Sequence, residues 1–188
     1  GCELGTVDNV IIDTNRDGFD IDCCKYLTIS NCKINTPHDD ALVLKSSYAL
    51  KKPVLTEHIA ITNCVITGYK FGTFLDGTYI PEKVNWVCGR FKLGTESNGG
   101  YRNISLSNCT FMYSSGLAFE EVDQGLMENI VVNNITMNHV HHYPIYITTG
   151  CRNRGPKERT TVSTGRDIMI SNVIANDVDS LAGIIVTG

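Results

Sequence analysis

Five segments of the chain repeat one pattern: YLTISNCKI, HIAITNCVI, NISLSNCTF, NIVVNNITM and DIMISNVIA. Each alternates apolar and polar residues, reaches an asparagine and resumes with another apolar residue. The aligned asparagines are Asn31, Asn63, Asn108, Asn134 and Asn172, spaced 32, 45, 26 and 38 residues apart. Period-two alternation is a strand signal, whereas helical repeats place apolar residues at helical spacing and leucine-rich repeats keep a fixed leucine framework. The pattern therefore predicts an all-β solenoid, a parallel β-helix in which equivalent side chains stack about 4.8 Å apart on successive coils. The aligned asparagines should form a hydrogen-bonded ladder at a turn. Cys32, Cys64 and Cys109, which follow three of them, should stack inward as small apolar groups.

A second family of short apolar strands follows these segments: ALVLK at 41–45, GLAFE at 116–120, PIYIT at 144–148 and GIIVT at 183–187. The unequal spacing implies loops inserted between strands, notably at 77–90 and 150–165, and such loops on one side of a solenoid wall a groove. No linker interrupts the pattern, so residues 1–188 form one β-helix domain, read as a piece of a longer solenoid. With 42% hydrophobic and 19% charged residues, the 188-residue chain has ordinary globular composition. A net charge of -4 supplies no basic field for nucleic acid or anionic lipid, and no apolar run approaches the roughly 20 residues that span a bilayer. Neither partner is expected. The opening GCELGTVDNV lacks the basic and apolar regions of a signal peptide. Among eight cysteines there is no CxxC pair, which argues against thiolate metal ligation.

Two acidic stretches stand out, NRDGFDID at 15–22 and PHDDALVLKS at 37–46. As neighbouring rungs related by a shift of 23 residues, Phe19 lies under Leu42 and Ile21 under Leu44, both inward. Asp20, Asp22 and Lys45 then face outward, and Asp17 meets Asp40 with Asp39 adjoining. Singly, each stretch is a turn, since Asp and Gly favour turns. Stacked, three carboxyls crowd one point, and like charges at that range raise at least one pKa toward what a general acid needs. A calcium site is the alternative for clustered oxygen ligands, but the spacing fits no calcium-loop signature, and no metal or other cofactor is expected. His139, His141 and His142 in HVHHYP lack the spacing of a zinc helix. Arg90 and Lys92 alternate with Phe91 and Leu93 and should face outward. Glu96 and Glu120 are candidates for hydrogen bonds to sugar hydroxyls, Glu120 also for an additional acid, and His38, which adjoins Asp39, is a candidate to tune it and to bind substrate. Tyr79, Trp86 and Tyr143 lie in or beside inserted loops, where an aromatic face can stack on a sugar ring.

NRDGFDID followed by HDDALVLKS resembles the Asn-Thr-Asp-Gly and Gly-Asp-Asp motifs of glycoside hydrolase family 28, the polygalacturonases and rhamnogalacturonases. GRFKLGTESNGGYRNISLSNCTF is similar to a segment of bacterial members. The resemblance implies a single-stranded right-handed parallel β-helix of the pectin lyase-like type and secretion or a periplasmic location. It also implies hydrolysis of a pectic or related plant glycan with inversion, Asp39 acting as general acid while Asp17 and Asp40 hold and activate water. The chain departs from the pattern at three places. Cys88-Gly89 replaces a His-Gly pair, Ala118-Phe119-Glu120 replaces the Arg-Ile-Lys that grips a substrate carboxylate, and Arg16 replaces a threonine. Substrate recognition is thereby rewritten, and Lys45, Arg90 and Lys92 become the candidate substrate-binding cations. Two other functions share these features: a polysaccharide lyase with a Lys or Arg base, for which Lys45 and Arg16 are available, and a non-catalytic glycan-binding β-helix.

Overall fold

The structure, a computed structural model, describes residues 1–152, 154–156, 161–179 and 183–188, which form fifteen strands. They group into coils through parallel pairing alone: β1 (Glu3–Asp8), β2 (Ile11–Asp13) and β3 (Phe19–Asp22), then β4 (Lys25–Ser30), β5 (Lys33–Asn35) and β6 (Leu42–Lys45). The third coil holds β7 (Thr56–Thr62), β8 (Val65–Thr67) and β9 (Phe91–Leu93). Later coils fuse the first two strands: β10 (Tyr101–Met112) with β11 (Leu117–Glu121), β12 (Leu126–Val140) with β13 (Ile145–Thr149), and β14 (Thr164–Val178) with β15 (Ile184–Thr187). One sheet runs β3-β6-β9-β11-β13-β15, and the remaining strands make the other. The chain is a parallel β-helix.

The asparagine pattern marks its corners. Asn31, Asn63, Asn108, Asn134 and Asn172 all adopt left-handed φ between 52° and 57°, a region that Asn enters more readily than other non-glycine residues. Five residues earlier in each coil stands a second left-handed residue, namely Tyr26, His58, Asn103, Asn129 and Asp167. The long strands β10, β12 and β14 therefore bend without losing register. Asn63 donates its amide to Asn31 Oδ1 at 3.4 Å and Asn134 to Asn108 Oδ1 at 2.7 Å. Between them the ladder passes through Thr62, whose hydroxyl accepts from Asn108 at 3.4 Å. Cys32, Cys64 and Cys109 are buried, unpaired thiols, and each donates to the carbonyl two residues back at 3.2–3.4 Å.

Inside, like residues stack along the axis. Leu42, Phe91 and Leu117 form one column and Leu44, Leu93 and Phe119 another, all 0–1% exposed. Register holds although coil length varies, because extra residues leave at corners. The largest such excursion described occupies 68–90 between β8 and β9, longer than the 77–90 expected from sequence. It is tied down by Asp13, whose Oδ2 accepts the Gly72 N–H at 3.1 Å. Part of the expected 150–165 loop lies outside the described residues.

Candidate active site

The 23-residue register is present: Phe19 pairs with Leu42, Ile21 with Leu44 and Asp22 with Lys45. Two glycines permit the close approach it requires. A Cβ on Gly18 would lie 2.5 Å from both the Ala41 carbonyl oxygen and Ile34 Cγ2, so only glycine lets the first acidic turn settle on the second. Gly18 N–H donates to the Asp40 carbonyl at 3.0 Å. At the next coil, Gly89 has φ of 57° and its N–H reaches the Asp39 carbonyl at 2.9 Å, while Cys88 N–H reaches the Pro37 carbonyl at 2.8 Å. These bonds carry Cys88 and Arg90 against the acidic pair.

One carboxylate oxygen from each of Asp17, Asp39 and Asp40 lies within 4.8 Å of the others. The environments of the three differ. Asp40 is 5% exposed. Its Oδ1 accepts from Arg90 Nε at 2.5 Å and from the Cys88 thiol at 3.2 Å, and its Oδ2 lies 3.4 Å from Lys92 Nζ. Burial alone would raise its pKa, but the charges of Arg90 and Lys92 outweigh it and hold the carboxyl below the usual range. Asp39 moves the other way. Burial raises it most, followed by a hydrogen bond with Asp17 and repulsion from Asp17, against one N–H bond from Asp40 at 3.0 Å. Asp17 accepts from Lys45 Nζ at 3.0 Å through Oδ2, while its buried Oδ1 has no conventional donor among the described residues. The hydrogen bond that Asp39 shares with Asp17 favours the protonated form of Asp39.

The other candidates fall into two groups. Lys45, Arg90, Lys92 and Glu120 join the acids: Lys45 also pairs with Asp20 at 2.7 Å, and Glu120 Oε1 lies 3.6 Å from Arg90 and 3.7 Å from Lys92. His38 is turned toward Glu82, at 3.2 Å, and Glu96 pairs with Arg154 at 3.4 Å. Arg90 and Lys92 point out of the core as alternation requires, but their charges are met by Asp40 and Glu120. Cys88 stands where the motif resemblance expects a histidine near the acids. Its role as a donor to Asp40 depends on a contact across 48 residues that no local pattern encodes. With Lys45 on Asp17 and two cations on Asp40, the cluster is already neutralised by protein charges, and a metal ion would have to displace them.

What the arrangement can do is separate proton affinities. It raises the proton affinity of Asp39 and lowers that of Asp40 beside it, the direction a general acid next to a general base requires. Comparison with descriptions of known protein families and with curated proteins finds no match for this chain.

Proposed function

We propose that the chain is a glycoside hydrolase acting on a pectic or related plant glycan, with Asp39 as general acid and Asp17 and Asp40 positioning and activating water. The observation that carries this reading is the opposed perturbation of Asp39 and Asp40 within one cluster. The parallel β-helix and the likeness of the two acidic motifs to glycoside hydrolase family 28 support it further. Asp39 would protonate the glycosidic oxygen, and the leaving sugar would depart with that proton. Asp40 is held by Arg90, Lys92 and Cys88 and Asp17 by Lys45, which leaves water as the nucleophile rather than a carboxylate. The spacing is short for this chemistry: inverting enzymes ordinarily separate their carboxyls by about 6.5–9.5 Å and retaining ones by about 5–5.5 Å. Retention would require Asp17 or Asp40 to leave its cations and attack the anomeric carbon, and proton NMR of the first-formed anomer decides between the two. The likeness to glycoside hydrolase family 28 points to a secreted or periplasmic setting.

General acid catalysis contributes about 10²- to 10⁴-fold. Asp39→Asn should lower kcat for reducing-end release from pectic oligosaccharides by that factor while circular dichroism stays unchanged. Near-native turnover in Asp39→Asn would remove the acid assignment. An unsaturated product absorbing in the ultraviolet would instead identify a lyase, and binding without cleavage by the native chain a non-catalytic β-helix.

A further inference from the structure

Beside the acids the groove opens into a cleft of about 390 Å³, lined by Trp86, Arg90, Ala118, Glu120, His142 and Tyr146 among others. That size is within the roughly 300–1,000 Å³ of small-molecule sites. Its shape follows from register. Ala118 pairs with Lys92 on one side and Tyr146 on the other, so two larger side chains stand about 9.6 Å apart, two strand spacings, with only a methyl group between them. Aromatic faces form the wall: Trp86, 57% exposed, lies 3.9 Å from the His142 ring, and Tyr143 stacks on Tyr146 at 5.8 Å. His142 Nε2 is shielded and has no hydrogen-bond partner among the described residues.

The charges at this cleft cancel. Arg90 and Lys92 each lie against both Asp40 and Glu120, two cations between two carboxylates. A ligand carboxylate entering here would meet Glu120 without finding an uncompensated cation. A neutral sugar ring would instead lay its C–H face on the aromatic wall and offer hydroxyls to Glu120. We infer that the cleft over Ala118 is a subsite for an uncharged sugar residue and discriminates against a uronate. The inference rests on the glycoside hydrolase reading for the class of ligand. It replaces the sequence expectation that Arg90 or Lys92 grips an acidic group of the substrate.

Trp86 is the single tryptophan of the chain, so intrinsic fluorescence reports on this cleft without requiring turnover. In the Asp39→Asn chain, titration with galactotetraose, arabinotetraose and xylotetraose should give a saturating change in Trp86 emission for at least one probe, and tetragalacturonate should give none. Ala118→Leu fills the shelf and Tyr146→Ala removes one wall; each should weaken the neutral probe at least tenfold, with circular dichroism confirming the fold. Glu120→Gln should allow tetragalacturonate to produce a response. The inference is overturned if tetragalacturonate binds the Asp39→Asn chain as tightly as the best neutral probe, or if no neutral probe alters the emission. Reducing-end release by the native chain is read separately. Cleavage of tetragalacturonate with silent neutral titrations removes the subsite and keeps the hydrolase, whereas saturating neutral titrations with no cleavage of any probe or of pectic polymers keep the subsite and remove the hydrolase.

Discussion

Glu121, at the end of β11, is fully buried; its Oε1 accepts the Gly125 N–H at 3.0 Å, and its Oε2 has no partner among the described residues. Burial is the largest influence on it. Bonds from the Ser97 and Ser163 hydroxyls and the Gly125 N–H oppose burial only in part, and the carboxyl is pushed up from 4.5 to about 7. The unfolded chain releases this proton near pH 4.5 and the folded chain near 7. The stability this group contributes is therefore complete below pH 4.5 and is lost progressively as pH rises to about 7. At 1.36 kcal/mol per pH unit the loss amounts to about 3 kcal/mol. Glu121→Gln keeps the acceptor and cannot ionise. Equilibrium urea unfolding followed by circular dichroism, at steps from pH 4.5 to 8.5, should show the variant gaining about 3 kcal/mol on the native chain across that range. Carboxylates held below their usual range, such as Asp22, Asp40 and Glu57, shift stability with pH in the opposite sense, but they are common to both chains and drop out of the difference. A difference that stays flat from pH 4.5 to 8.5 refutes the argument and means that Glu121 is solvated or ionised in the fold.

Arg90→Ala leaves buried Asp40 with Lys92 as its cation and the Cys88 thiol as donor, a change that costs about 3 kcal/mol when one partner of a buried pair is removed. Because Asp40 is then less strongly held ionised, the acid limb of the pH–rate profile should move to higher pH while the alkaline limb, set by Asp39 losing its proton, stays in place; kcat measured from pH 3 to 8 checks both limbs. Phe119→Ala removes a fully buried ring that meets Phe91 edge-on at 6.1 Å, and urea unfolding should show a loss of about 3–5 kcal/mol.

The sequence carried the parts of this molecule that repeat. An asparagine in a left-handed corner serves every coil, so it recurs visibly, and the inward cysteine beside it recurs for the same reason. The meeting of Asp17 with Asp40 was legible because each lies two residues ahead of a strand, β3 and β6, one short coil apart, where counting residues fixes the register. Contacts that cross the long third coil were not legible. Arg90, Lys92 and Cys88 reach Asp40 over the 68–90 excursion, and only backbone bonds such as Gly89 to Asp39 determine where the chain returns. Outward alternation could place the two cations in the groove, but it could not show that Asp40 and Glu120 neutralise them there. The second line of corners was hidden as well: Tyr26, His58, Asn103, Asn129 and Asp167 share a conformation without sharing a residue type.

Coils of unequal length with undisturbed rungs divide the labour of the molecule. The acids stand on the short, tightly registered coils, where a change of one residue would flip a strand and dismantle the cluster. Trp86 stands on the excursion that follows β8, and His142 and Tyr143 lie on the turn between β12 and β13, where residues can be added or exchanged without moving Asp17, Asp39 or Asp40. Selectivity in such a scaffold can therefore drift while the chemistry stays fixed, and grafting a different 70–86 segment, which leaves Cys88, Gly89 and Arg90 against the acids, is the natural way to redirect it.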